Sequence, residues 1–368
     1  MDRVAPIDCA TEIPVVSTPQ RPVDPTAVRR VALIRPRFLG DICLTLPALE
    51  ALRAACPQAQ IAYVVEEESA PLIADDPRLS EVIVAKRRRG GRPGLAPLSR
   101  LRRFRPDLVI DFFCNPRTAL WTGLSGARIR VGYPGKGWRS HLYTHHVRPR
   151  TLSAIEFHLA SVAALGWPAP VRTPHLVIGA AARTAALATL QAAGVEPEGV
   201  WVGFHPGARW PTRRWDPARF AALAERFLAH FPDGVALISG GSGEAEPVER
   251  IVERLPRGRA IPVVGWPIAR FVALQSFCRA FVCGDTGPLH TAVAAGTPTL
   301  GLLSRNSPAM FFPYPSAEGH RAYYARAECS PCHRDECADL RCLHRLTVEG
   351  AWALLSEMLD RDRRGEVA

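Results

Sequence analysis

Lysine is nearly missing from this chain: Lys86 and Lys136 are its only two, and arginine carries almost all of the net charge of +11. Such a basic surface favours anionic partners, among them phosphorylated lipid, acidic glycan and nucleic acid. No motif of basic residues interleaved with aromatics accompanies the charge, so nucleic acid is not expected as a partner. Apolar runs long enough to span a bilayer are also missing. Residues 1–28 lack the apolar stretch of a secretory signal, are rich in proline and carry Asp2, Asp8, Glu12 and Asp24. They read as a disordered tail on a chain expected to stay in the cytoplasm. The densest basic run, Lys86-Arg-Arg-Arg-Gly-Gly-Arg, reads as a loop after a strand. Its plain reading is a solvated loop and its sharper one contact with an anionic membrane surface.

What is present is a globular pattern, 47% hydrophobic and 22% charged over 368 residues, enough for two domains. Apolar strand-like runs recur at Val31–Ile34, Ile61–Val65, Glu81–Val84 and Leu108–Asp111, with a shorter one at Ile129–Val131. A second series covers Val200–Phe204, Val235–Ser239, Ile261–Val264, Ala280–Cys283 and Thr299–Leu303. Helical patterns separate the runs, so each half is expected to be an α/β domain with a parallel sheet. The expected division is a tail over 1–28, a Rossmann-like domain over 29–178, a second over 179–346, and a terminal helix and tail over 347–368. Two such halves imply a cleft, with ligands outside the carboxyl ends of the strands.

The stretch Phe281-Val-Cys-Gly-Asp-Thr-Gly-Pro-Leu-His reads as strand, tight turn and helix start. Free N–H groups at such a helix start suit a phosphate. The Asp285 carboxylate beside them would not bind phosphate but would accept from hydroxyls of an attached sugar, so the turn suggests a nucleotide-sugar site. In the first half, Asp41 sits where a glycine-containing loop meets a helix expected to run through Leu52. Alone it reads as a helix cap, but a second strand–turn–helix unit shifts the reading towards function. His205-Pro-Gly brings backbone close to the same rim, and Arg209, Arg213 and Arg214 add charge suited to a departing diphosphate. Ser239-Gly-Gly-Ser-Gly-Glu would let a ribose approach, with Glu244 accepting from its hydroxyls. Cys329, Cys332, Cys337 and Cys342 form a compact cluster lacking the second C-x2-C of a zinc ribbon. Reduced thiols stabilising a loop are the default reading, and a structural metal is the lesser one. No Asp-x-Asp lies at a strand end, since Asp360-Arg-Asp362 is in the terminal helix or tail, so metal-dependent sugar transfer is not suggested.

Taken in order, Arg35-Pro-Arg-Phe-Leu-Gly-Asp-Ile-Cys-Leu-Thr-Leu-Pro-Ala-Leu, His205-Pro-Gly-Ala, Arg213-Arg-Trp and Gly284-Asp-Thr-Gly-Pro-Leu-His resemble glycosyltransferase family 9. These are the ADP-heptose:lipopolysaccharide heptosyltransferases, and Cys329-Ser-Pro-Cys with Cys337 and Cys342-Leu looks like the second-heptose branch. The resemblance covers about residues 29–358 and is specific as a combination. It implies a GT-B fold whose terminal helix often packs back on the first domain. It also implies an inverting, metal-independent transfer of heptose from ADP-heptose to the inner core of lipopolysaccharide, with no cofactor. Asp41 matches the general base, and Asp285 the residue that holds the donor sugar. Thr286 and Gly287 match the diphosphate backbone, and Arg213 stands where the family usually has lysine. His205, Gly207, Arg209, Glu244 and His290 complete the expected donor-binding set. Arg35 and Arg37 flank a loop where serine is usual, and with Arg117 they are expected to serve an anionic glycolipid acceptor. Peripheral contact with the inner membrane would follow. The alternatives are a family member using another nucleotide sugar or acceptor (including a protein), a GT-B-like nucleotide-sugar epimerase, and a non-catalytic sugar-nucleotide binder.

Overall fold

The computed structural model describes residues 22–86, 96–133, 137–196 and 199–365, the last five by backbone alone. Residues 1–21 of the expected tail and most of the basic run, 87–92, lie outside the described residues. The chain divides between Val177 and Ile178 into two compact units.

The N-terminal unit is built on β1 (Arg30–Ile34), β2 (Gln60–Glu66), β3 (Glu81–Ala85), β4 (Leu108–Asp111), β5 (Ile129–Gly132) and β6 (His145–His146). They form one parallel sheet in the order β3-β2-β1-β4-β5-β6. Strands buried on both faces read as continuous apolar runs, which is why β1 to β5 stand out in the sequence. One face packs Ala32, Ile34, Ala62, Val64, Ile83 and Val109 against Leu101 and Trp121 from two helices. Residues 22–28 depart from the expected tail: Val23 N–H donates to the Leu165 carbonyl at 3.0 Å and Trp167 Nε1 to the Val23 carbonyl at 2.7 Å. Val28 is buried as well.

The C-terminal unit repeats the plan with β7 (Trp201–His205), β8 (Val235–Gly240), β9 (Ala260–Val264), β10 (Ala280–Gly284), β11 (Thr299–Leu303) and β12 (Arg321–Tyr324). Its parallel order is β12-β11-β10-β7-β8-β9. Each sheet therefore starts in its middle, winds out to one edge, and returns to wind out to the other. The reversal falls between β1 and β4 in one unit and between β7 and β10 in the other. A doubly wound sheet opens a crevice at the carboxyl ends of such a strand pair. Register places Ile34 opposite Asp111 and Cys283 opposite His205 at these two points.

The terminal helix spans Val348–Gly365. Its stripe Ala351, Leu355 and Leu359 is fully buried in the core of the C-terminal unit, with Phe220, Leu223 and Phe227 of helix Pro217–His230. Each large apolar side chain so buried contributes about 1.5–3 kcal/mol. Trp215, also buried there, donates from Nε1 to the Leu346 carbonyl at 2.9 Å and ties down the start of that helix.

Candidate functional site

In the N-terminal unit the helix after β1 spans Leu39–Ala55 and puts Asp41 in its first turn. The Asp41 carboxylate accepts from the Phe38 N–H at 3.3 Å through Oδ2, and Oδ1 lies 2.8 Å from Arg35 Nη2. Arg35 was expected to serve an acceptor; its guanidinium is instead committed to Asp41, to the Phe112 carbonyl at 2.7 Å and to the face of Phe113. Arg117 is likewise engaged, 2.6 Å from Glu66 Oε1 and over the Trp121 ring. Arg37 lies over Phe38 and Phe113, and its buried Nε, like those of Arg35 and Arg117, has no hydrogen-bond partner.

The turn carrying Phe112 and Phe113 is fixed from below by Asp111, fully buried at the end of β4. Burying a carboxylate costs several kcal/mol unless its oxygens are satisfied. Here Oδ1 accepts from the N–H groups of Phe113 and Cys114 at 2.9 and 2.8 Å, and Oδ2 from the Tyr143 hydroxyl at 2.8 Å. Burial pushes the Asp111 carboxyl up, and these donors oppose the shift.

At the second switch point His205 ends β7. Ser239 Oγ donates to the Phe204 carbonyl at 3.2 Å, so the His205 Nδ1, 3.0 Å from Oγ, is the donor in that pair. Burial pushes the His205 imidazole down to about 4, against the opposing pull of the Glu244 charge. Glu244 precedes helix Ala245–Val252, and its Oε2 accepts from the Gly241 N–H at 2.7 Å. A Cβ at Gly207 would stand 2.3 Å from that same oxygen, so a larger residue there would displace the Glu244 carboxylate. His205, Gly207 and Glu244 thus lie side by side.

Asp285 follows β10, is buried, and accepts through Oδ2 from Asn306 Nδ2. Arg213 Nη1 donates to the Asp285 carbonyl at 3.0 Å and stands 3.5 Å from Oδ2. The Arg213 carbonyl would be 2.4 Å from a Cβ at Gly284, a close approach that requires glycine at the strand end. Thr286 precedes helix Gly287–Ala294 without a side-chain cap, because its hydroxyl turns back to the Gly284 carbonyl at 3.4 Å. In the first turn the Gly287 N–H has no side-chain cap, Pro288 has no N–H, and the Leu289 N–H donates to the Thr286 carbonyl at 3.2 Å. Arg214 braces the turn through the Ala208 carbonyl, and Arg209 is exposed over Trp210. His290 is buried, with Nδ1 2.6 Å from the Tyr314 hydroxyl.

Asn306, Thr212 and Ser304 were not foreseen. Ser304 Oγ donates to the Thr212 carbonyl at 2.5 Å, locking the turn before Arg213. The available signal was the polar run Ser304-Arg-Asn-Ser directly after the apolar strand Thr299–Leu303. Cys329, Cys332, Cys337 and Cys342 are free thiols. Backbone N–H groups of Leu340 and Asp339 hold the Cys337 thiol below its usual range. Among the described residues no group of three or more His, Cys, Asp or Glu side chains is placed to hold a metal ion. Nor is any described helix long and apolar enough to cross a membrane.

The model of glycosyltransferase family 9 (heptosyltransferase) matches residues 97–342. Lipopolysaccharide heptosyltransferase 1 of Pseudomonas aeruginosa is 28% identical over 323 residues, covering 84% of this chain and 87% of the relative. A solved family 9 glycosyl transferase from Veillonella parvula superposes with a TM-score of 0.79 at 23% identity, over 90% of this chain and 97% of that one. The ADP-heptose lps heptosyltransferase II of E. coli superposes with a TM-score of 0.75 at 21% identity, over 91% and 99%.

Proposed function

We propose, for a chain that belongs to glycosyltransferase family 9 and has its GT-B fold, an inverting and metal-independent transfer of heptose from ADP-heptose to the inner core of lipopolysaccharide. The observation that carries the reading is the pair of carboxylates at the two switch points. Asp41 leads a helix after β1, and Asp285 precedes one after β10.

The C-terminal unit takes the donor. Asp285 accepts from hydroxyls of the heptose, and the amides of Thr286 and Gly287 receive the diphosphate. Arg213 supplies the positive charge that the departing ADP needs as the glycosidic bond breaks, so the leaving group can be stabilised by the protein's own guanidinium. His205, Gly207 and Glu244 form the neighbouring wall, where Glu244 accepts from ribose. The N-terminal unit takes the acceptor. Asp41 removes the proton of the attacking hydroxyl, which adds to the anomeric carbon on the face opposite the leaving diphosphate, hence inversion. Arg35 holds the Asp41 carboxylate in place, and the remaining charge of Arg37 suits a phosphorylated glycolipid. Names of the similar proteins support both substrates. An acceptor of this kind would bring the enzyme to the cytoplasmic face of the inner membrane.

The test is incubation with ADP-heptose, with and without deep-core lipopolysaccharide lacking the heptose. Heptosylated core and equimolar ADP are expected only when both are present. Turnover without acceptor would indicate an epimerase-like activity, and binding without turnover a non-catalytic sugar-nucleotide protein.

A further inference from the structure

The cysteine-bearing segment between β12 and the terminal helix has no role in the transfer described above, yet its tip is fastened to the loops around Asp285. Cys332 N–H donates to the Arg305 carbonyl at 3.1 Å, and Arg305 Nη1 returns to the His333 carbonyl at 3.1 Å and to Asp335 Oδ1. Thr212 Oγ1 lies 3.0 Å from the carbonyls of both Arg334 and Asp335, so the turn before Arg213 is held by the same tip. His333 has φ of 54°, a left-handed conformation that non-glycine residues seldom adopt. The clasp by Arg305 on either side of the residue maintains it.

That conformation delivers the imidazole to Asn306. His333 Nδ1 is 3.1 Å from Asn306 Oδ1, and Asn306 Nδ2 donates to Asp285 Oδ2. The polarity of this chain is fixed by chemistry. A carboxylate only accepts, so Asn306 turns its nitrogen to Asp285 and its carbonyl oxygen to His333, which must carry its proton on Nδ1. Asn306 is 3% exposed and Asp285 2%. An asparagine so enclosed could otherwise flip its amide and leave the carboxylate facing an oxygen, at the cost of an unpaired buried group.

We propose that His333 is a positioning residue for Asp285, acting through Asn306, so that the tip of the cysteine-bearing segment sets how the donor sugar is held. This rests on the assignment of Asp285 to the sugar. The segment is then a part of the donor site as well as a packing element, and the His333 ring selects one orientation of the Asn306 amide.

The test is calorimetry with ADP-heptose and with ADP on the full-length protein. His333→Ala is expected to weaken ADP-heptose roughly tenfold and to leave ADP within about twofold of wild type. Asn306→Ala should behave alike, and His333→Asn, whose amide nitrogen can take the place of Nδ1, should recover most of the affinity. In an Asp285→Ala background the His333→Ala loss should vanish, because both act on one contact. A silent His333→Ala, equal losses for both ligands, or losses that simply add would overturn the proposal. If instead Asp285→Ala binds ADP-heptose as well as wild type, the sugar assignment itself has failed. Nitrogen-15 NMR of the ligand-free protein then decides the relay separately. The neutral His333 ring is expected as the Nδ1–H tautomer, with resonances that move on Asp285→Asn, and resonances that stay put would exclude it.

Discussion

Arg35 Nη2 stands 2.8 Å from Asp41 Oδ1 while Nη1 of the same guanidinium donates to the Phe112 carbonyl at 2.7 Å. One arginine thus ties the first turn of a helix to the turn after a neighbouring strand, and the carboxylate proposed as the base cannot swing independently of it.

Arg35→Ala should therefore lower kcat by roughly tenfold or more, since a misoriented base loses much of its advantage even when present. Arg35→Lys keeps the charge without the fork and should fall between. Steady-state kinetics with varied acceptor separates two roles. An unchanged kcat with a raised acceptor KM would return Arg35 to acceptor binding.

Arg213→Ala should slow transfer more than it weakens ADP-heptose. One charged hydrogen bond is worth about 1.5–3 kcal/mol, which corresponds to at least a tenfold loss in rate. Arg213→Lys should retain most activity. If Arg213→Ala is silent while Arg209→Ala or Arg214→Ala is crippled, the turn has been read out of register. Arg214→Ala should also cost stability, because its guanidinium braces the Ala208 carbonyl at 2.7 Å.

Acidification should unfold the protein before carboxylates are protonated in bulk. Burial pushes His205 and His320 down to about 4 and His158 well below its ordinary value. In the unfolded chain each takes up a proton near pH 6.5. Their contribution is complete above that pH and is lost as pH falls from about 6.5 towards 4, at up to about 1.4 kcal/mol per pH unit for each. Urea unfolding at pH 7 and pH 5 measures this. His205→Asn keeps a donor for Ser239 and should flatten the dependence, whereas an equally steep profile would mean that His205 does not contribute.

Much of this was legible in sequence because parallel strands buried on both faces leave continuous apolar runs, and the Gly-Asp that closes one such run marks its carboxyl end. Asp285 was visible for that reason, and Asp41 because a glycine-containing loop there meets a helix. The edge strands β6 and β12 were not: one is His145–His146 alone, and the other alternates buried and half-buried positions behind an arginine. Charge was the least legible property. Arg35, Arg117 and Arg213 look alike in sequence as free cations, but each stands beside a carboxylate that the fold brings near. His333 was hidden for a related reason. Its motif drew attention to thiols, while the contact that matters reaches Asn306, far back in the chain.

The most direct test of the central claim is the rate of heptose transfer from ADP-heptose to heptose-deficient lipopolysaccharide core by wild type and Asp41→Asn, with ADP-heptose affinity measured on both. The predicted result is transfer by wild type, a rate roughly 10²–10⁴-fold lower for the variant, and nearly equal donor affinity. A variant with near-normal turnover would reduce Asp41 to a helix cap, and a wild-type protein that binds ADP-heptose but transfers nothing to the core would contradict the proposed reaction.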